Sequence, residues 1–197
     1  LQSIRDLSGF EKSSHSGKEL DRILEVYPRD ELFQIDIPSL TKICKSVENF
    51  NGVGRRLESL WHLKEKNIEF IDDYAHHPSE LKAIIGSVKE LYPTKKLTAV
   101  FQPHLFSRTQ DFMSEFAHEL SQVDELILVP IYPARELPIK GVTSNAVLEE
   151  VTLDNSICVA KENVLTELKN RDVEVLLTLG AGDIDRLVQP IKEYYGG

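Results

Sequence analysis

Three features of this sequence predict an α/β chain built on a doubly wound, mainly parallel sheet. From about Asn51 onward, short apolar runs alternate with segments of helical periodicity, the pattern of repeated strand-helix units. The run 125–130 is almost unbroken apolar sequence, as expected of a strand covered on both faces of a parallel sheet. The segments between runs are long enough for right-handed crossovers, which parallel neighbours require. Together these give a Rossmann-like sheet with an N-terminal β-hairpin, preceded by a small, mainly helical segment.

Residues 1–50 read as helices and loops. Leu20, Ile23, Leu24 and Tyr27 fall on one helical face that Pro28 ends, and Leu40, Ile43, Cys44 and Val47 repeat the pattern after Pro38. Strand-helix alternation and any catalytic cluster are missing there, so two domains are expected, 1–50 and 51–197. Residues 55–63 and 68–72 read as two strands joined by Lys64-Glu65-Lys66-Asn67, a hairpin. Pro78 opens a helix, since proline at the first helical position loses no hydrogen bond, and Leu81, Ile84, Ile85, Val88 and Leu91 share its inner face. After a strand at 97–101, a single helix from about Ser107 gathers Phe112, Met113, Phe116, Ala117 and Leu120. A proline-rich loop, 131–142, follows the 125–130 strand and leads to a helix after Thr143. The strand 156–160 is followed by a helix marked by Val164, Leu165 and Leu168. The last strand, 173–179, runs into Gly180-Ala181-Gly182-Asp183 and a final helix, which Pro190 is expected to kink or split.

Composition narrows the function. A net charge of −9 argues against a general nucleic-acid binder, because phosphate contacts need a basic surface. Apolar runs are too short to cross a bilayer and a signal-peptide pattern is missing, so no membrane partner and a cytoplasmic location are expected. Cys44 and Cys158 both sit in apolar stretches and read as buried thiols. His15, in the Ser13–Gly17 loop, reads as an inert surface histidine.

The chemistry concentrates in Ile71-Asp72-Asp73-Tyr74-Ala75-His76-His77-Pro78, a strand-to-helix turn carrying two carboxylates, a phenol and two imidazoles. In an open α/β sheet such turns lie at the carboxyl ends of the strands, where ligands bind. Alternation makes Asp72 the buried member and Asp73 the one that faces the cleft. Loops 102–108 and 180–183 also follow strands and should meet the first at the same edge. The former offers His104 and Arg108 beside a helix N-terminus, a natural carboxylate or phosphate site. Gly-Ala-Gly-Asp alone is a weak signal. The dinucleotide fingerprint and the Walker loop are both absent, and no zinc spacing accompanies His76 and His77, so no metal is expected on these residues.

Asp73-Tyr74-Ala75-His76-His77-Pro78, the preceding Arg55-Arg56-Leu57-Glu58, and Gln102-Pro103-His104 with Ser107-Arg108-Thr109 resemble the C-terminal domain of Mur ligases. The branch that adds L-alanine to UDP-N-acetylmuramate fits best, and Ile131–Glu136 and Leu179–Ile184 fit it too. The resemblance covers about 48–197 and implies ATP-dependent amide-bond formation through an acyl phosphate in peptidoglycan synthesis. It implies that Arg56 reaches the ATP phosphates and that Asp73 and Tyr74 contact the nucleotide. It implies that His76, His104 and Arg108 serve catalysis and the incoming alanine, with Arg108 pairing the alanine carboxylate. Many relatives carry a second arginine where this chain has Leu105. ATP and magnesium are the implied cofactors of a complete enzyme. The family's UDP-binding and ATPase domains are not found in these residues, so tight nucleotide binding or turnover by this chain alone is not expected. Glu25–Ile35, by contrast, resembles a non-catalytic segment of large NAD-specific glutamate dehydrogenases, as in a fusion or chimera.

Other readings are a ligase that recycles a tripeptide onto the same sugar nucleotide and a non-catalytic interaction module with 1–50 as a docking arm. The Q-P-H-x-x-S-R-T run favours alanine over tripeptide, and exposed apolar helix faces in 1–50 would favour the module. A nicotinamide-dependent oxidoreductase lacks its fingerprint.

Overall fold

In the computed structural model the described residues are 45, 54–56, 58–63 and 67–196, with backbone only for 58–63. The chain divides into two compact units, Leu1–Asn51 and Gly52–Gly197, and nearly all described residues belong to the second. The helices expected in 1–50, Cys44 and His15 lie outside them.

The second unit is a six-stranded sheet with helices on both faces. In chain order come β1 (Glu58–Leu63), β2 (Ile68–Asp73), α1 (Pro78–Leu91), β3 (Leu97–Phe101), α2 (Phe106–Asp111), α3 (Met113–Leu120) and β4 (Glu125–Leu128). Then follow α4 (Ser144–Glu150), β5 (Ser156–Cys158), α5 (Val164–Lys169), β6 (Val175–Leu179) and α6 (Val188–Gly196). The spatial order is β1-β2-β6-β3-β4-β5. β1 pairs antiparallel with β2, with a bulge between Ser59 and Trp61, and every other neighbouring pair is parallel.

Burial explains the sequence pattern. Leu97, Ala99 and Phe101 of β3 point to one face, with Leu81 and Ile85 of α1, Phe116 of α3 and Val147 of α4. Val100 of β3, Ile127 and Leu176 point to the other, with Val164 and Leu168 of α5 and Ile191 of α6. Two apolar layers therefore sandwich one sheet, and the central strands are buried along their whole length. Leu91, expected on the inner face of α1, is 59% exposed because it ends the helix.

Two expected elements differ. The helix predicted from Ser107 breaks at Phe112, whose φ of −126° takes it out of the helical region and leaves α2 and α3 as separate pieces. The final helix expected through Ile184, Leu187, Val188 and Ile191 is divided, but ahead of Pro190: Asp183–Leu187 is a 3-10 turn and α6 begins at Val188. Pro190 occupies the third position of α6, in the first turn, where a missing N–H costs little.

Candidate functional site

The strand order places β2, β6 and β3 side by side and parallel, so their following loops share one rim. Backbone hydrogen bonds continue the pairing beyond the strands: Gly180 N–H donates to Asp73 O at 3.2 Å and Gln102 N–H to Leu179 O at 3.0 Å. Asp73, His104 and Arg108 thus stand on adjacent loops of one edge.

Asp72 is 1% exposed, and both its oxygens are used. Arg55 Nε donates to one at 2.8 Å and Thr178 Oγ1 to the other at 2.6 Å. Asp73 does not open onto a cleft as alternation predicts. It is 6% exposed, and its Oδ1 accepts from Ala75 N–H at 2.7 Å, because a carboxylate at a strand end folds back on the turn it starts. Tyr74 does project outward, its ring flanked by the Arg55 and Arg56 guanidiniums at 5.2 and 5.5 Å, the distance range of cation–π contact. Arg56 also pairs with Glu80 at 3.2 Å.

His76 and His77 have different roles. His77 caps α1, its Nδ1 accepting from Ser79 N–H, and its ring packs edge-on against Phe112. His76 faces His104, with ring centroids 5.8 Å apart. Its Nδ1 lies 2.9 Å from Tyr74 O and 3.1 Å from Glu80 Oε2, two acceptors, so Nδ1 carries a proton. Burial pushes the Glu80 carboxyl up, but the His76 N–H and the charges of His76 and Arg56 outweigh it and hold Glu80 below its usual range.

His104 stacks on Tyr132 at 5.6 Å and 17°, and the backbones around the two residues bridge: Leu105 N–H donates to Tyr132 O and Tyr132 N–H to Pro103 O. Burial, then the positive charges of Arg108 and His76, keep the His104 ring below the usual imidazole pKa, with Glu136 opposing. His104 Nδ1 and Arg108 Nη1 are both buried and have no hydrogen-bond partner. A buried donor and a buried imidazole nitrogen, both unmet, could each take a polar partner.

The helix N-terminus beside them is not open to an anion. Glu136 of the 131–142 loop occupies it, accepting from Ser107 N–H at 2.9 Å and Ser107 Oγ at 2.5 Å. Those bonds hold the Glu136 carboxyl below its usual range, with further help from Phe106 N–H and from His104.

The Gly180–Asp183 loop completes the rim. Asp183 bonds to Gln102 Nε2 at 2.9 Å and pairs with Lys161; those bonds outweigh a burial that alone would raise its pKa, and hold it low. A Cβ on Gly182 would lie 2.5 Å from Gln102 Oε1 and 2.6 Å from Tyr132 Cγ, so only glycine lets this loop pass. A depression of about 550 Å³ sits at the opposite edge of the sheet, but its Lys89, Lys95 and Lys96 are all bonded to neighbouring oxygens. Among the described residues, no group of three or more His, Cys, Asp or Glu is placed to hold a metal.

Sequence reasoning placed Arg55, Gln102 and Glu136 in motifs without giving them a role, and passed over Lys161. Arg55 and Leu105 carry positive φ values of 57° and 73°, as does Ala134 at 49°, a conformation that only the fold reveals.

The profile of the family described as "Mur ligase, glutamate ligase domain" matches residues 55–183, well over half of the chain. The chain belongs to the Mur ligase family. Residues 1–51 match a second family, "Glutamate dehydrogenase, helical motif 1". Among curated Mur ligases, the UDP-N-acetylmuramate–L-alanine ligase of Cytophaga hutchinsonii is 51% identical over 154 residues, covering 78% of this chain and 33% of that protein. That of Flavobacterium johnsoniae is 50% identical over 151 residues, covering 77% and 33%. The chain spans about a third of the length of these relatives. The crystal structure of the UDP-N-acetylmuramate–alanine ligase of Thermotoga maritima aligns with a TM-score of 0.61 and 27% identity, over 88% of this chain and 36% of that one. A murein peptide ligase from Psychrobacter arcticus shares the fold at 19% identity and a TM-score of 0.59, over 78% of this chain and 32% of its own. The Mur ligase match covers all three rim loops, and no helix among the described residues is long and apolar enough to cross a membrane.

Proposed function

We propose that the domain from about residue 51 onward receives the amino acid in an ATP-dependent ligase joining L-alanine to UDP-N-acetylmuramate. The observation that carries this is the pair of buried, unmet nitrogens, His104 Nδ1 and Arg108 Nη1. An α-amino acid has an anionic and a cationic end on one carbon. Arg108 is always charged and donates to a carboxylate; His104, kept neutral by burial and its cationic neighbours, accepts from an ammonium. The names of the relatives support alanine and the muramate nucleotide as the substrates.

A carboxylate resists amines until one of its oxygens becomes a leaving group. In the proposed reaction that oxygen attacks the γ-phosphorus of ATP and ADP departs. The alanine nitrogen then adds to the acyl carbon, and the carbon–oxygen bond to phosphate breaks. The nitrogen sheds a proton on the way, and His104 Nδ1 is the base this domain offers. His76, facing His104, lies between this pocket and the nucleotide side. There Tyr74 offers a ring, Asp73 holds the turn and Arg56 brings a guanidinium that can leave Glu80 for a phosphate. Magnesium, which the family implies, is not assigned to residues of this domain, since its described carboxylates are not grouped to hold one.

The test is a titration of the isotope-labelled chain followed by NMR. L-Alanine should shift the side-chain signals of both His104 and Arg108, propionate mainly Arg108, and L-alaninamide mainly His104. If L-alanine leaves both unmoved up to its solubility limit, the reading is wrong.

A further inference from the structure

α2, the helix that carries Arg108, is six residues long and has no cap of its own. Leu105 at its N-cap makes no side-chain bond, and its first turn holds no acidic residue. So short a helix is not stable by propensity, and its first N–H groups need acceptors. The acceptor is Glu136, twenty-nine residues downstream, through Ser107 N–H and Oγ. Glu136 is itself fixed by a tight turn in which its N–H donates to Pro133 O at 2.9 Å, with Ala134 at a φ of 49°. Four residues before Glu136, Tyr132 is stacked on His104 and hydrogen-bonded to the backbone on both sides of it.

We infer that Glu136 is a positioning residue: from the 131–142 loop it clamps the start of α2, and so sets where Arg108 and His104 stand. The clamp meets the first turn of α2 with an anion of the chain's own. That leaves the guanidinium of Arg108, in the last turn, as the anion receptor of this segment. The same carboxylate is one of the charges that face His104, with Arg108 from α2 and His76 from the β2–α1 turn. The consequence for substrate rests on the amino-acid pocket proposed above; the clamp does not.

Glu136→Gln and Glu136→Ala separate charge from hydrogen bonding. By hydrogen exchange, Ser107 N–H should lose about tenfold of its protection in Glu136→Ala, the worth of a bond to a charged acceptor, and keep most of it in Glu136→Gln. The NMR titration midpoint of His104 should fall in both variants, because both lose the negative charge. A helix cap without influence on the site would leave that midpoint where it is in Glu136→Gln. Unchanged Ser107 protection in Glu136→Ala, or an unchanged His104 midpoint in both variants, overturns the inference. If the inference holds, L-alanine should shift Arg108 less in Glu136→Ala than in the parent chain, and an equal shift counts against it. Should the parent chain itself show no response to L-alanine, the pocket fails while the clamp is still decided by exchange and titration.

Discussion

Arg55 ties three segments together with one guanidinium. Nε reaches the buried Asp72 at 2.8 Å, Nη2 reaches Gly180 O at 2.6 Å, and the plane stands over Tyr74. Removing it strands the Asp72 carboxylate, which is 1% exposed, beside a single hydroxyl. Arg55→Ala should therefore cost about 3 kcal/mol in urea unfolding, the range for breaking a buried pair from one side. Arg55→Lys should recover only part, because lysine cannot serve both acceptors from one plane. His104 gives a pH dependence of definite sign. Its folded pKa lies below the 6.5 of an exposed imidazole, so between the two values the unfolded chain binds more protons. Stability should rise with pH up to about 6.5 and then level off. His104→Gln should flatten that slope, as read from denaturation midpoints between about pH 5.5 and 7.5, on the order of one pH unit either side of a free imidazole's pKa. The lowered carboxyls of Glu136 and Asp183 act in the same direction at lower pH, their stabilisation being lost only as pH falls below the ordinary carboxylate range.

Two glycines test how elements are held. Gly86 lies in the exposed interior of α1, and nothing stands within 4 Å of where a Cβ would go. Gly86→Ala should stabilise the fold by about 1 kcal/mol through helix propensity alone. Gly182→Ala should do the reverse, costing about 1–3 kcal/mol, and should move the His104 signal because Tyr132 must yield. Both are measured by the same unfolding curves. Elements of this kind were legible in the sequence where their causes were local. Pro78 and the spacing of Leu81, Ile84, Ile85 and Val88 announced α1, and the hairpin was visible in its two apolar runs. The break at Phe112 was not, because apolar periodicity runs straight through it, and neither was the cap on α2, whose acceptor lies twenty-nine residues away. The split of roles between His76 and His77 was equally hidden, since it depends on which ring meets Ser79 and which meets His104.

The second unit carries its own pair of apolar layers, one on each side of the sheet, so residues 52–197 expressed alone should fold in one cooperative transition. Leu177, fully buried in the middle of that sheet, should cost about 3 kcal/mol as alanine. Calorimetry with ATP should detect no submicromolar binding to this chain, because its rim supplies few groups for a nucleotide. The class of fold and the gathering of three loops on one edge followed from the alternation of strands and helices, which depends only on burial periodicity. The position of each strand within the sheet did not, since β-pairing is chosen by long-range packing rather than by anything in the strand itself.

That strand order has one more effect. β6 is the sixth strand to be made, yet it lies between β2 and β3, bonded to both. On the ribosome, β2 and β3 must each wait with one edge unpaired until Val175–Leu179 emerge, and only then can the three loops become neighbours. Nascent chains stalled before that strand should remain sensitive to protease, and those released after it should become resistant in a single step.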